Sequence, residues 1–324
     1  MIDARDLATF CAHGGRVAAA RALFGGGDWI DLSTGIAPWA WPVADVPLAL
    51  ERLPEPAEIL ALEAAAARAF GNIDPARVIA VPGTDLAMRL LAPLLDARRA
   101  AVVVPGYAGH RAAWPQAEAI GGVEGATDHD LLVLASPANP DGRVTDPAAL
   151  VALSQRMTVV VDEAYGDPDA GLAAYASDRL IVLRSFGKFY GLPGLRLGFV
   201  ITGHELGGRL RAMLGDWPVS SPSIAIGTAA YRDRGWRRAQ QTRIAEAGAL
   251  LDRLLDVAGL PIVGSAPLFR LIACDPAAAL FETLARHAIL TRPFADQPDR
   301  LRIGLPRGTT AVTRLATALE EFRR

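Results

Sequence analysis

The sequence predicts an α/β protein: a mostly parallel sheet between helices, joined to a smaller α+β unit. Three observations carry this. Between residues 78 and 201, short continuous apolar runs alternate with helical stretches, and strands that are apolar throughout are those buried on both faces of a parallel sheet. After Gly203 the pattern changes to a long helical region and then to short strands. With 324 residues and 51% hydrophobic content, the chain is long enough for one large domain or two unequal ones.

Taken in order, residues 6–24 read as a helix, interrupted near its start by His13-Gly14-Gly15 and ended by Gly25-Gly26-Gly27. Trp29-Ile30-Asp31-Leu32 reads as a short strand, followed by an irregular Ser33-Thr34-Gly35-Ile36-Ala37-Pro38. Residues 57–70 form a second helix, closed by Gly71. Strands are expected at Val78 to Val81, Ala101 to Val104, Leu131 to Ala135, Val159 to Val161, Leu180 to Leu183 and Leu197 to Ile201, with helices at 84–95, 107–118 and 146–155. Residues 221–258 are nearly all helical, with weak breaks near Gly227 and Gly235. Short strands at 268–273, 289–292 and 300–304 and helices at 275–287 and 309–322 complete the chain, and the boundary falls near 205–222.

The bulk numbers exclude several classes. A net charge of −2 gives no basic field for nucleic acid. Cys11 and Cys274 have neither metal-ligand nor disulfide-framework spacing, so no metal is expected. No apolar run reaches the roughly 18 residues that span a bilayer, and an N-terminus with Asp3, Arg5 and Asp6 lacks a signal-peptide core. A cytoplasmic protein without a membrane partner is expected.

The chemistry centres on Ser185-Phe186-Gly187-Lys188-Phe189-Tyr190-Gly191-Leu192-Pro193-Gly194-Leu195-Arg196-Leu197-Gly198, which lies between two apolar strands. A lysine so close to a core costs energy unless it is paired or chemically used. Four glycines in these fourteen residues let the backbone approach something bulky. Ser185 and Arg196 bracket Lys188 with a hydroxyl and a fixed positive charge, groups that suit a phosphate. Taken alone, a surface loop with a solvated lysine would read the same way.

The segment resembles the Schiff-base lysine region of the class I and II aminotransferase superfamily, S-x-x-K followed by G-x-R-x-G. That is the fold type I group of pyridoxal phosphate (PLP) enzymes. The resemblance implies a large domain with a mostly parallel seven-stranded sheet at residues 30–220, and a small domain from both chain ends at 1–29 and 221–324. It implies that Lys188 carries the cofactor as a Schiff base and that Ser185 and Arg196 hold its phosphate.

Further candidates fall at the carboxyl ends of strands, where open parallel sheets bind ligands. Gly83-Thr84-Asp85 opens a helix after Val81, and N–H groups at a helix N-terminus form an anion site; Thr84 or Asp85 would also serve as an ordinary cap. In the family this turn binds the PLP phosphate. Tyr107 follows Val104 and sits where the family stacks an aromatic ring on the pyridine; it also reads as an ordinary loop tyrosine. Ser136-Pro137-Ala138-Asn139-Pro140-Asp141-Gly142 resembles the family's N-P-x-N-P-T-G turn, with Ser136 and Asp141 as departures, and gives Asn139 to the cofactor O3′. Asp162 ends an apolar strand, where a carboxylate needs a partner. The resemblance assigns it to the pyridine nitrogen and Tyr165 to O3′.

Arg302, in Leu301-Arg302-Ile303-Gly304, resembles the arginine that binds the substrate carboxylate, and Arg292 resembles one that reaches a substrate phosphate. His13-Gly14-Gly15 together with Asp31 to Ile36 narrows the resemblance to threonine-phosphate decarboxylases of cobalamin biosynthesis. It implies substrate contacts from His13, Gly14, Thr34, Gly35, Asn139, Arg292 and Arg302. Many relatives carry a Tyr-Pro that reaches a neighbouring subunit's cofactor; here the match is Leu53-Pro54, so that hydroxyl is missing. The implied activity is decarboxylation of L-threonine O-3-phosphate by a PLP-dependent homodimer. A histidinol-phosphate-type aminotransferase is the alternative, and a non-catalytic PLP-fold protein is one of another class.

Overall fold

The computed structural model describes residues 2–323. Two compact units emerge. The larger comprises Ala40–Asn139 and Arg143–Gln240; the smaller comprises Met1–Trp39, Pro140–Gly142 and Gln241–Arg324.

Among the described residues, the larger unit carries a seven-stranded sheet. Its order is Val78–Val81, Gly198–Ile201, Leu180–Ser185, Thr158–Asp162, Leu131–Ala135, Ala100–Val103 and Glu118–Ile120. Gly198–Ile201 runs antiparallel to both neighbours, and the other pairings are parallel. The central strands are buried almost without exception, as their unbroken Val, Leu and Ile runs require of a sheet covered on both faces. The expected mostly parallel seven-stranded sheet is therefore present.

One edge strand departs from the sequence reading. Residues 107–118 were expected to be helical, but the helix covers only Ala108–Ala113, and Glu118–Ile120 forms a strand beside Ala101–Val103. The reason is Pro115. Its ring disfavours the helical region for the residue before it and removes an N–H, and Trp114 adopts φ −121 and ψ 74. A second departure is the helix His204–Leu214, which was not expected. It contains Gly207-Gly208, and each glycine costs about 1 kcal/mol in a helix. Burial of Leu206 and Leu210, together with a bidentate pair from Arg211 to buried Glu63, offsets that cost.

The smaller unit has a four-stranded antiparallel sheet among the described residues, in the order Arg292–Pro293, Arg300–Gly304, Phe269–Ala273 and Ile262–Ala266. Ile262–Ala266 was not expected; its residues are largely exposed and include Gly264, so it lacks an apolar signature. Ala277–Arg286 and Gly308–Arg323 are helical as read. The region 6–24 is two helices, Ala4–Ala12 and Val17–Phe24, separated at His13-Gly14-Gly15. Ile30–Asp31 pairs in parallel with Ile289–Leu290. No described helix is long and apolar enough to cross a membrane.

A buried ion cluster ties the centre of the large sheet. The Arg184 side chain is 0% exposed and pairs at 2.8 Å with both Glu163 and Asp167. Arg184→Met would strand two buried carboxylates, and removing one partner of a buried pair costs about 3–5 kcal/mol. Urea unfolding should show a loss of that order. A loss under about 1 kcal/mol would mean that the carboxylates are not buried in solution.

Candidate active site

The larger unit's site is built on strand ends. Asp162 is the last residue of Thr158–Asp162 and is buried. One carboxylate oxygen lies 3.2 Å from His110 Nε2, and the other accepts the Ala164 N–H at 3.0 Å. Burial pushes the Asp162 carboxyl up, but the His110 hydrogen bond and charge, the Lys188 charge and the Ala164 N–H outweigh it, so its pKa lies below the ordinary value. A buried group held as an anion is one arranged to face a cation.

Lys188 lies in the short helix Phe186–Phe189, and its ammonium is 5.1 Å from the centre of the buried Tyr165 ring. Ser185 ends the strand that leads into this helix. Arg196 has a left-handed backbone, φ 52, and reaches back to the turn before the helix Thr84–Leu95. A Cβ on Gly83 would sit 2.6 Å from the Arg196 guanidinium, and the φ of +91 there is one that L side chains rarely adopt, which favours glycine. Gly198 also lies close to that turn, since a Cβ on it would meet Thr84 N at 3.0 Å. Glycines, a guanidinium and helix N–H groups thus meet at one turn, a combination whose chemistry suits an anion.

Asp85 plays a different part from its neighbours. Its carboxylate accepts the Tyr107 hydroxyl at 3.1 Å and Arg89 Nε at 3.3 Å. An anion at this turn would therefore meet N–H groups rather than that side chain. Burial, then the Asp85 charge and hydrogen bond, push the Tyr107 phenol up to about 12, so it stays neutral. The Tyr107 ring lies edge-on to His110, with centres 5.6 Å apart. Asn139 is half-buried, four residues beyond the end of the strand Leu131–Ala135.

The remaining predicted residues gather in the smaller unit. His13 caps the C-terminal end of Ala4–Ala12 in extended conformation and is exposed. Arg292 donates to the carbonyls of Cys11 and Ala12 at 3.3 and 2.9 Å, and its guanidinium lies 5.3 Å from the Phe294 ring centre. Arg302 is 1% exposed, lies 4.9 Å from the Phe269 ring centre and donates to the Ser33 carbonyl. A Cβ on Gly14 would be 2.5 Å from that same carbonyl oxygen, and one on Gly15 would be 3.5 Å from the Thr34 methyl. Gly35 is buried with φ 61. His13, Gly14, Thr34, Gly35, Arg292 and Arg302 thus belong to one neighbourhood, while Asn139 lies in the larger unit.

Sequence reasoning missed His110 and Ser33. His110 sits three residues after Tyr107 in a stretch that read as ordinary helix, and its partner is 52 positions away. One signal was overlooked: Lys188 is the only lysine in 324 residues, so 32 of the 33 basic residues (33 − 1) are arginine.

Comparison with known proteins establishes the family. Residues 115–319 match the family model described as aminotransferase class I and II. The threonine-phosphate decarboxylase of Pseudomonas aeruginosa is 42% identical, over 96% of this chain and 98% of that protein. A threonine-phosphate decarboxylase from a Sinorhizobium species is 38% identical, over 95% and 97%. The chain belongs to the class I and II aminotransferase family. Its fold is shared with the histidinol-phosphate aminotransferase of Sinorhizobium meliloti, solved in complex with pyridoxal-5'-phosphate, at a TM-score of 0.81 and 22% identity over 95% and 94% of the two chains.

His110 gives this aminotransferase-family site a testable electrostatic signature. The stability that ionised Asp162 contributes is fully present above the unfolded carboxyl's pKa and is lost as pH falls through its depressed folded value. His110→Phe removes the largest influence opposing burial, so the loss should occur at higher pH. Urea midpoints along the acid limb should separate the two proteins; coincident curves would show that His110 does not hold Asp162 down.

Proposed function

We propose that the chain is a PLP-dependent lyase that decarboxylates L-threonine O-3-phosphate in the cytoplasm, releasing CO2 and (R)-1-amino-2-propanol O-2-phosphate for cobalamin biosynthesis. The observation that carries this reading is near-full-length likeness to two threonine-phosphate decarboxylases. The His13-Gly14-Gly15 turn and two arginines in one neighbourhood support it.

Pyridoxal phosphate suits the residues present. Gly83 leaves the space that a side chain would fill beside the Arg196 guanidinium, Asp162 is a buried carboxylate held ionised, and Lys188 offers an amine beside Tyr165. When bound, the cofactor supplies an electron sink for the bond that breaks at Cα. Gly83, Thr84, Ser185 and Arg196, with the backbone of Asp85, would hold its phosphate. Tyr107 would stack on its ring, Asn139 and Tyr165 would donate to O3′, and Asp162 would keep the ring nitrogen protonated. Lys188 would hold the cofactor's carbonyl carbon and then deliver to the substrate Cα the proton that replaces the lost carboxylate.

His13, Gly14, Thr34, Gly35, Arg292 and Arg302 would bind the two anionic ends of the substrate, and Asn139 would contact it as well. How these residues would hold the substrate's carboxylate and its Cα–H decides between CO2 loss and transamination. A histidinol-phosphate-type aminotransferase would therefore use the same parts. Incubation with L-threonine O-phosphate should release CO2, and Lys188→Ala should abolish this together with the visible absorbance of the loaded protein. A keto acid product would favour transamination, and full activity in Lys188→Ala would overturn the reading.

We also propose a homodimer. Leu50, Leu53 and Leu60 are 67%, 62% and 61% exposed. Each neighbours in sequence a residue, Ala49, Arg52 or Ala61, that lines a groove of about 760 Å³ together with Trp41, Leu48 and Ile224. Apolar surface of this kind marks an interface, and a symmetric one would be two-fold. Light scattering should give twice the chain mass, and Leu50→Lys with Leu53→Lys should shift it towards one. A wild-type monomer with full activity would refute the proposal.

A further inference from the structure

Ser33 is 1% exposed, and each of its polar atoms is engaged. Its N–H donates to Asp31 Oδ1 at 2.8 Å, and its hydroxyl donates to the same oxygen at 2.5 Å. The hydroxyl oxygen accepts the Gly15 N–H at 2.8 Å. Its carbonyl accepts from Arg302 at 2.5 Å.

The segment around it is anchored on two sides. Leu32 N–H donates to the Leu290 carbonyl at 2.8 Å, two residues before Arg292. The Leu32 carbonyl accepts the Gly304 N–H at 2.7 Å, two residues after Arg302. Backbone contact there is close, because a Cβ on Gly304 would be 2.9 Å from the Leu32 oxygen. Arg292 in turn holds the Cys11 and Ala12 carbonyls that lead into His13-Gly14-Gly15. These contacts close a ring: Arg292, the end of the first helix, the Gly14-Gly15 turn, Ser33 and Arg302.

We propose that Ser33 is a positioning residue for the substrate's anionic groups, its hydroxyl fixing the His13-Gly14-Gly15 turn and its carbonyl fixing the Arg302 guanidinium as one frame. This rests on the decarboxylase reading for the identity of the ligand. It adds a residue that touches neither cofactor nor substrate. The hydroxyl is needed twice over, as acceptor for Gly15 and as donor to Asp31, and alanine supplies neither. Without it the turn bearing His13 is released while the Ser33 carbonyl still holds Arg302. A two-anion ligand would then meet one fixed end and one loose end. Such a defect weakens binding rather than the chemical step, because the residues assigned to bond breaking lie elsewhere.

The test uses PLP-loaded protein and L-threonine O-phosphate. In Ser33→Ala the KM should rise about tenfold, the worth of one hydrogen bond at the upper end of its range. The kcat, cofactor absorbance and cofactor affinity should stay close to wild type. Ser33→Thr, which keeps the hydroxyl, should recover most of the loss. An unchanged KM in Ser33→Ala, or a fall in kcat alone, overturns the proposal. Should Ser33→Ala fail to fold, amide exchange on the wild-type protein decides: a protected Gly15 N–H supports the contact, and fast exchange refutes it. If wild type perturbs its cofactor spectrum on binding threonine phosphate but releases no CO2, the decarboxylase reading falls. A weaker Kd in Ser33→Ala would then still uphold the positioning role. No binding by wild type overturns both.

Discussion

One buried guanidinium sets the geometry on which the larger unit's chemistry depends. Arg184 lies on the strand Leu180–Ser185 and pairs with Glu163 and Asp167, both beyond the end of the neighbouring parallel strand. Glu163 directly follows Asp162, and Ser185 directly follows Arg184. The pair therefore spans the two strand ends that present the buried carboxylate and the lysine-bearing turn. A charge with no access to water tolerates little movement of its partners, so the spacing of these chain segments is fixed by electrostatics as well as by the hydrogen-bond ladder.

The two units handle charge by different means. In the larger one, Asp162 is kept ionised by His110, Lys188 and a backbone N–H against the opposing influence of burial. In the smaller one, Arg292 and Arg302 lie beside aromatic rings and donate to main-chain carbonyls. The planar fork of arginine suits such multiple carbonyl contacts better than the single rotating ammonium of lysine.

Much of this was legible in the chain. Strands buried on both faces announce themselves as unbroken apolar runs, which is why Val78–Val81, Leu131–Ala135 and Leu180–Ser185 could be read from their residues. Glu118–Ile120 could not, because an edge strand of three residues with two exposed has no apolar run to show. Pro115 was the missed clue. The helix at His204–Leu214 was hidden because its stabilisation is tertiary: Glu63, which anchors Arg211, lies 148 positions away. The same reasoning covers the site. Lys188, Arg196 and Asp162 stand in local patterns that demand explanation. His110 and Ser33 act through contacts that only the folded chain creates.

Lys188 being the only lysine has a consequence of its own. An aldehyde cofactor bonds to any accessible primary amine, and a surface of arginines gives it no side chain with which to form a stray adduct. The same holds for enzymatic or chemical acylation. Acetyl donors, cyanate and reducing sugars all target ε-amines, and this chain presents them with a single one. Modification by that route would fall on Lys188 or on no lysine at all, so a single position would report it.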